Sequence, residues 1–243
     1  MRYRFLLCFY LSIRFLLPAQ TPSDAGMPPD TVAARRWLEE GKSLISKRAY
    51  PEAGGLLDAA VKAFRSAGHL PGLGEALHHR GRVYAFRFQL DSAIGCYREA
   101  IDVRTAAHGR EHASVAQSLS NLAILFSDKR LYNEAIEYHR QAIAIWMHLY
   151  DPRHSKLADS YLNLGNVYQS ARQYPEAMDC FRKALDIWEA QDERPYLKLS
   201  FAHGNIGNCY LSSGQYHEAL KAFHTALALV QTVANPDPLE LGK

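Results

Sequence analysis

The chain carries almost no net charge: 28 lysines and arginines stand against 25 aspartates and glutamates. A near-neutral balance argues against a nucleic-acid partner, whose phosphates favour a basic face. Cysteine is equally sparse. Cys8, Cys96, Cys180 and Cys209 lack the close spacing of a disulfide framework or a zinc site. Cys96 and Cys180 each precede an aromatic residue by one position, which suits small buried packing residues. Catalytic signatures are missing too. No glycine-rich loop follows a strand, no nucleophile elbow occurs, and no serine, cysteine or threonine sits in a motif with a recognisable base. The chain therefore reads as non-enzymatic, with no cofactor.

Long hydrophobic runs are confined to one place. Arg2 and Arg4 precede an apolar run over residues 5–17, interrupted by Arg14 and followed by Pro18-Ala19-Gln20. The run is too short for a helix to span a bilayer, so no stable membrane span is expected. A basic start, a short apolar run and a small residue at its end read as a secretory signal, residues 1–19, cleaved after Ala19. A mis-assigned start and a surface-lying amphipathic segment are the alternatives. Export would place the protein in the periplasm or outside the cell, and otherwise it is cytoplasmic. Losing the three arginines would leave 25 charges of each sign. Residues 20–30 hold three prolines among small polar residues and read as a flexible linker.

What the chain has in abundance is self-similarity. Shifted by 42 residues, Leu164-Gly165 falls on Leu122-Ala123 and Ile206-Gly207, and Tyr168 falls on Phe126 and Tyr210. The second half of the unit continues in register. Tyr174 meets Tyr132 and Tyr216, Ala177 meets Ala135 and Ala219, Phe181 meets His139 and Phe223, and Ala184 meets Ala142 and Ala226. Each half has its apolar residues at helical spacing, so one unit is two amphipathic helices joined by a tight turn at Arg172-Gln173. Gly165 and Ala177 are small where the helices cross, and Pro175 suits the first turn of the second helix. Two earlier units, marked by Trp37, Gly41, Leu44 and Tyr50 and by Leu77, Gly81, Tyr84 and Tyr97, bring the count to five, over residues 31–234. Residues 235–243 align with the opening of another first helix, which predicts a further repeat cut short and leaves Phe223, Leu227 and Val230 partly uncovered.

This pattern, Leu-Gly-x-x-Tyr followed by Ala-x-x-x-Phe-x-x-Ala, resembles the tetratricopeptide repeat. The 42-residue period, with joints such as His108-Gly109-Arg110-Glu111-His112, resembles the long units of kinesin light chains and bacterial multi-repeat proteins over residues 75–234. The resemblance implies an all-α, right-handed α-solenoid of stacked antiparallel helix pairs. It also implies a scaffold that binds a peptide or partner domain in its concave groove. The alternative it implies is the sensory or regulatory part of a larger bacterial protein whose effector, a caspase-like protease, histidine kinase or DNA-binding domain, lies elsewhere.

In such folds the first helices line the groove. Asn121, Asn163 and Asn205 recur there every 42 residues, with His79 in the second unit, and Asn166, Asn208 and Arg82 stand three positions later. Together with Phe86 they are the candidate peptide contacts. An asparagine amide offers both donor and acceptor, so it can grip a peptide backbone or staple the neighbouring repeat. The family's clamp for chaperone tails needs basic residues around such asparagines, and Asp159, Leu162, Phe201 and Gly204 do not supply them. His108 and His112 are four apart but flank Gly109 without the His-Glu-x-x-His pattern, so no metal is expected. His78 and His79 point apart on a helix, and His139 fills an aromatic slot as a packed, hydrogen-bonded ring. If the signal reading holds, protein from its native source begins at Gln20 by N-terminal mass; an intact Met1 on a soluble cytoplasmic product would contradict it.

Overall fold

A computed structural model describes residues 29–234, so the readings for residues 1–28 and 235–243 lie outside the described residues. The described residues form ten helices and no strand: α1 (Pro29–Ser46), α2 (Tyr50–Ser66), α3 (Leu70–Phe86), α4 (Leu90–His108), α5 (Ala113–Asp128), α6 (Tyr132–Leu149), α7 (Ser155–Ser170), α8 (Tyr174–Glu189), α9 (Tyr196–Ser212) and α10 (Tyr216–Ala234). Each odd helix packs on the even helix after it and, less extensively, on the even helix before it. The result is an all-α solenoid of five hairpins.

The hairpin is built on one close crossing. A Cβ placed on Gly165 would lie 2.5 Å from the ring of Phe181, and one on Gly207 would lie 2.6 Å from Phe223. Gly81 stands in the same relation to Tyr97 and Gly41 to Leu57, at 3.1 and 3.0 Å. Backbone and side chain are thus in contact, and the side chain sixteen residues on, a ring in three of the four, fills the space the glycine leaves. The turn that makes this possible also repeats. Arg48, Phe88, Arg130 and Arg172 hold φ near +60°, with Gly214 at +74°. In each case the next amide donates five residues back, as from Gln173 to the Tyr168 carbonyl at 2.8 Å, which caps the first helix in a Schellman turn.

The third hairpin varies the crossing: Ala123 replaces the glycine and His139 the ring. His139 is 1% exposed, and neither ring nitrogen has a hydrogen-bond partner, so the expected hydrogen-bonded ring is instead a neutral imidazole packed as a small aromatic. The physical reason is the apolar wall of its slot, which offers no acceptor. Cys96, Cys180 and Cys209 are buried free thiols, as expected of packing residues.

The core is not continuous. One cluster runs from Ala34 to Ala100 and a larger one from Ala93 to Ala222. The division falls within the second repeat, where polar side chains join α4 to α3 and α5. At the far end, Leu227 is 53% and Val230 41% exposed on α10, whereas Leu185 and Trp188, their counterparts on α8, are covered by α9.

Burial alone pushes the His139 imidazole down to about 4. Because the folded value lies below the unfolded one, the unfolded chain takes up this proton first as pH falls. Stability present above pH ~6.5 is therefore lost on acidification, by about 2 kcal/mol at pH 5 for this group alone. The Ala123→Gly/His139→Phe double variant restores the pair found in the last two hairpins. Thermal melts at pH 7.5 and 5 should show a smaller acid loss in that variant than in the wild type, and equal losses would contradict the assignment.

Candidate functional site

The concave side follows from which helices approach. α1 touches α3, α5 touches α7 and α7 touches α9, while no pair of second helices comes as close. The first helices therefore lie on the inside of the curve, where successive units crowd together. α3 and α5 are the exception, approaching less closely than the other three pairs.

The sequence-predicted contacts all lie on these first helices, yet the structure treats them unequally. Asn205 donates from Nδ2 to Oδ1 of Asn166 on the preceding repeat at 2.8 Å, and Gln169 donates to the Asn205 carbonyl at 3.1 Å. Asn121 reaches back across the second joint, with Nδ2 3.4 Å from the Tyr97 hydroxyl and 3.5 Å from Nε2 of His78. Asn163 is half-buried and has no hydrogen-bonded side-chain partner among the described residues. Asn208 is exposed. The asparagine column thus holds two inter-repeat contacts and one unspent amide.

At the other end of the groove, Arg82 places Nη1 3.3 Å from Nδ1 of His79, and its charge fixes the imidazole proton on Nε2. Burial first, then Arg82, Lys42 and Arg104, push His79 down to about 3, so the ring is neutral at ordinary pH. Phe86 is 49% exposed and stacks on Tyr50 with ring centroids 5.0 Å apart, presenting an apolar platform at the foot of α3.

Sequence reasoning missed a second group. A cavity of about 570 Å³ opens among α1, α3 and α5, walled by Glu39, Glu75, His79 and Gln117 with Arg104 among its lining. Arg104 is 4% exposed although it carries a full charge. The signal was present in the repeat alignment, where Arg104 occupies the column of Phe64, Trp146 and Trp188. A charge in an otherwise apolar column is visible without a structure. Its partners are not, because they come from three different helices.

Histidines also serve the joints. Nδ1 of His69, His112 and His154 accepts a backbone N–H at the start of α3, α5 and α7, at 3.0 to 3.2 Å. His108 and His112 stack with centroids 4.4 Å apart, and no group of three metal-ligating side chains occurs among the described residues. Nor is any described helix long and apolar enough to cross a membrane.

Known proteins with this arrangement are found by structure. BtubC (BKLC) from P. vanneervenii is similar with a TM-score of 0.73 at 19% identity, covering 86% of this chain and 93% of that one. A Podosopora anserina kinesin light chain with nearly identical TPR-like repeats scores 0.72 at 21% identity, covering 87% and 100%. MamA from Desulfovibrio magneticus RS-1 scores 0.63 at 14%, covering 85% and 98%. A search of curated proteins by sequence finds no match. Family models described as tetratricopeptide repeat match residues 73–145, 114–190 and 200–232. Members of that family are in general non-enzymatic scaffolds for protein–protein contacts. With its five stacked hairpins, Gly–aromatic crossings and matches over most of the array, the chain belongs to the tetratricopeptide repeat family.

Proposed function

We propose that this chain holds an extended segment of another polypeptide in the groove formed by its first helices. The observation that carries the reading is the combination on that inner surface of unspent amides, at Asn163 and Asn208, with exposed apolar side chains at Phe86, Ile124 and Phe201. Amides satisfy a peptide backbone whatever its side chains, and the apolar groups take side chains between them. His79, Arg82, Asn121, Asn166 and Asn205 frame the same surface. Each such hydrogen bond contributes roughly 0.5 to 1.5 kcal/mol net, so affinity is modest and distributed. The N-terminal apolar run supports a protein that meets its partner in the periplasm or outside the cell.

The test separates groove from staple. Immobilised full-length protein is exposed to an extract of its native source, and the retained polypeptides are identified and their affinities measured. Replacing Phe86, Asn163 and Asn208 together with alanine should weaken the retained partner tenfold or more, which is ~1.4 kcal/mol or above, with the melting temperature lowered only by the few degrees that loss of the Tyr50 stack implies. Asn205→Ala, which breaks the bond to Asn166, should instead cost about 1 kcal/mol of stability and lower the melting temperature by a few degrees. A partner held equally by the wild type and the triple variant would place binding outside the groove.

A further inference from the structure

Arg104 is a buried cation that meets only neutral acceptors. Nε donates to the Gly74 carbonyl at 3.1 Å, and Nη1 reaches the Ser114 carbonyl at 2.6 Å, Ser118 Oγ at 2.8 Å and His78 Nδ1 at 3.2 Å. Nη2 takes part in none of these bonds. Hydrogen bonds of this kind satisfy donors but bring no counter-charge into contact; Glu75 attracts the guanidinium only through space, and burial outweighs it. The carboxylates nearest on the cavity wall are already engaged: Lys42 holds Glu75 at 2.9 Å and Glu39 at 2.8 Å.

The surrounding residues are fitted to the arginine. Gly74 stands where the later repeats carry Ala116, Ala158 and Ser200, and a Cβ there would lie 2.7 Å from Arg104 Cγ. His78 stands in a column that also holds Leu38, Ser120, Leu162 and Gly204, and its Nδ1 accepts from Arg104. Gly74 and Arg104 therefore depart together from the columns they occupy in the other repeats. At this joint the first helices approach less closely than at the others, and the cavity opens there among α1, α3 and α5.

We propose that the cavity over Arg104 is a carboxylate-binding pocket of the groove, taking an aspartate or glutamate side chain of the bound segment. The inference rests on the groove reading and names the chemistry of its occupant. Nη2 of Arg104 supplies charge and a donor, the Nε2–H of His79 and the amide of Gln117 add donors from the walls, and the pocket is far larger than a single inorganic anion. The cation comes from a second helix, in the slot of a tryptophan, rather than from the first-helix positions of the chaperone-tail clamp.

The full-length protein is titrated against a fluorescein-labelled hexaglutamate peptide, its hexaglutamine counterpart and free glutarate. The wild type should bind hexaglutamate at least tenfold more tightly than hexaglutamine, and glutarate should compete only weakly. Arg104→Met should remove that preference in protein that circular dichroism shows to be folded at the assay temperature, and Arg104→Lys should retain part of it. Gln117→Ala, on the exposed wall and harmless to the fold, should weaken hexaglutamate severalfold. The proposal is overturned if hexaglutamate fails to bind the wild type or binds Arg104→Met as tightly. Glutarate binding as tightly as the peptide would overturn it too, by making the occupant a free small dicarboxylate. A natural partner lost in the groove triple variant but held equally by Arg104→Met would also overturn it, while leaving the groove reading intact.

Discussion

Contact between a glycine backbone and a ring sixteen residues later is the constraint on which the rest depends. With Gly165 against Phe181 or Gly207 against Phe223, two helices approach closely enough to share one apolar layer, and the layer is wide enough for the next hairpin to stack on it. The same contact dictates the turn. Sixteen residues must include the end of one helix, a reversal and the start of the next, which leaves space only for a Schellman turn with one residue in the left-handed region. Arginine or phenylalanine occupies that position in four of the five hairpins, at roughly 1–3 kcal/mol relative to an unstrained conformation. The crossing contact and the capping hydrogen bonds of the turn together offset that strain.

The hairpins were legible because burial recurs with the period, so every column reports its environment several times over. Ala177, Ala184 and Phe181 are fully buried, as their spacing predicts. The signature of the turn was less legible, since its left-handed residue is glycine only at Gly214. The hydrogen-bonding of the asparagine column was not legible at all. Asn163 and Asn205 are the same residue in the same column, but only Asn205 meets Asn166 of the repeat before it. That difference depends on the rotation between neighbouring units, and a sequence column cannot express it. His139 shows the opposite error. A histidine among apolar columns suggested a hydrogen-bonded ring, whereas the slot supplies no partner and the ring stays neutral.

The length of the unit belongs to the joints. Relative to shorter repeats of the same kind, the extra residues extend the second helix and the link after it, as in the segment from His108 to His112. A longer link leaves the next first helix with an exposed N-terminus, and the imidazoles of His69, His112 and His154 accept its free N–H groups. The last joint departs from this, with Pro195 at the cap position and no side-chain cap. Histidines that invited a catalytic or metal-binding reading thus divide into caps, packed rings and one buried network.

That network matters because the molecule is nearly one-dimensional. Each hairpin contacts only its neighbours, so the stability of the array is a sum of unit and joint contributions. Three of the four joints are apolar, with Trp146 and Trp188 buried beneath the following helix at the last two. The second joint replaces that apolar plug with Arg104, His78 and Ser118, close to where the hydrophobic core divides within the second repeat. A plug of Trp would close the gap between α3 and α5 by burying apolar surface, whereas a charged one keeps its remaining donor within reach of the groove. The joint that buries a charge is therefore the one whose chemistry differs from its neighbours. A uniform stack would give the groove one repeated surface, and this departure makes one point along it distinct from all others.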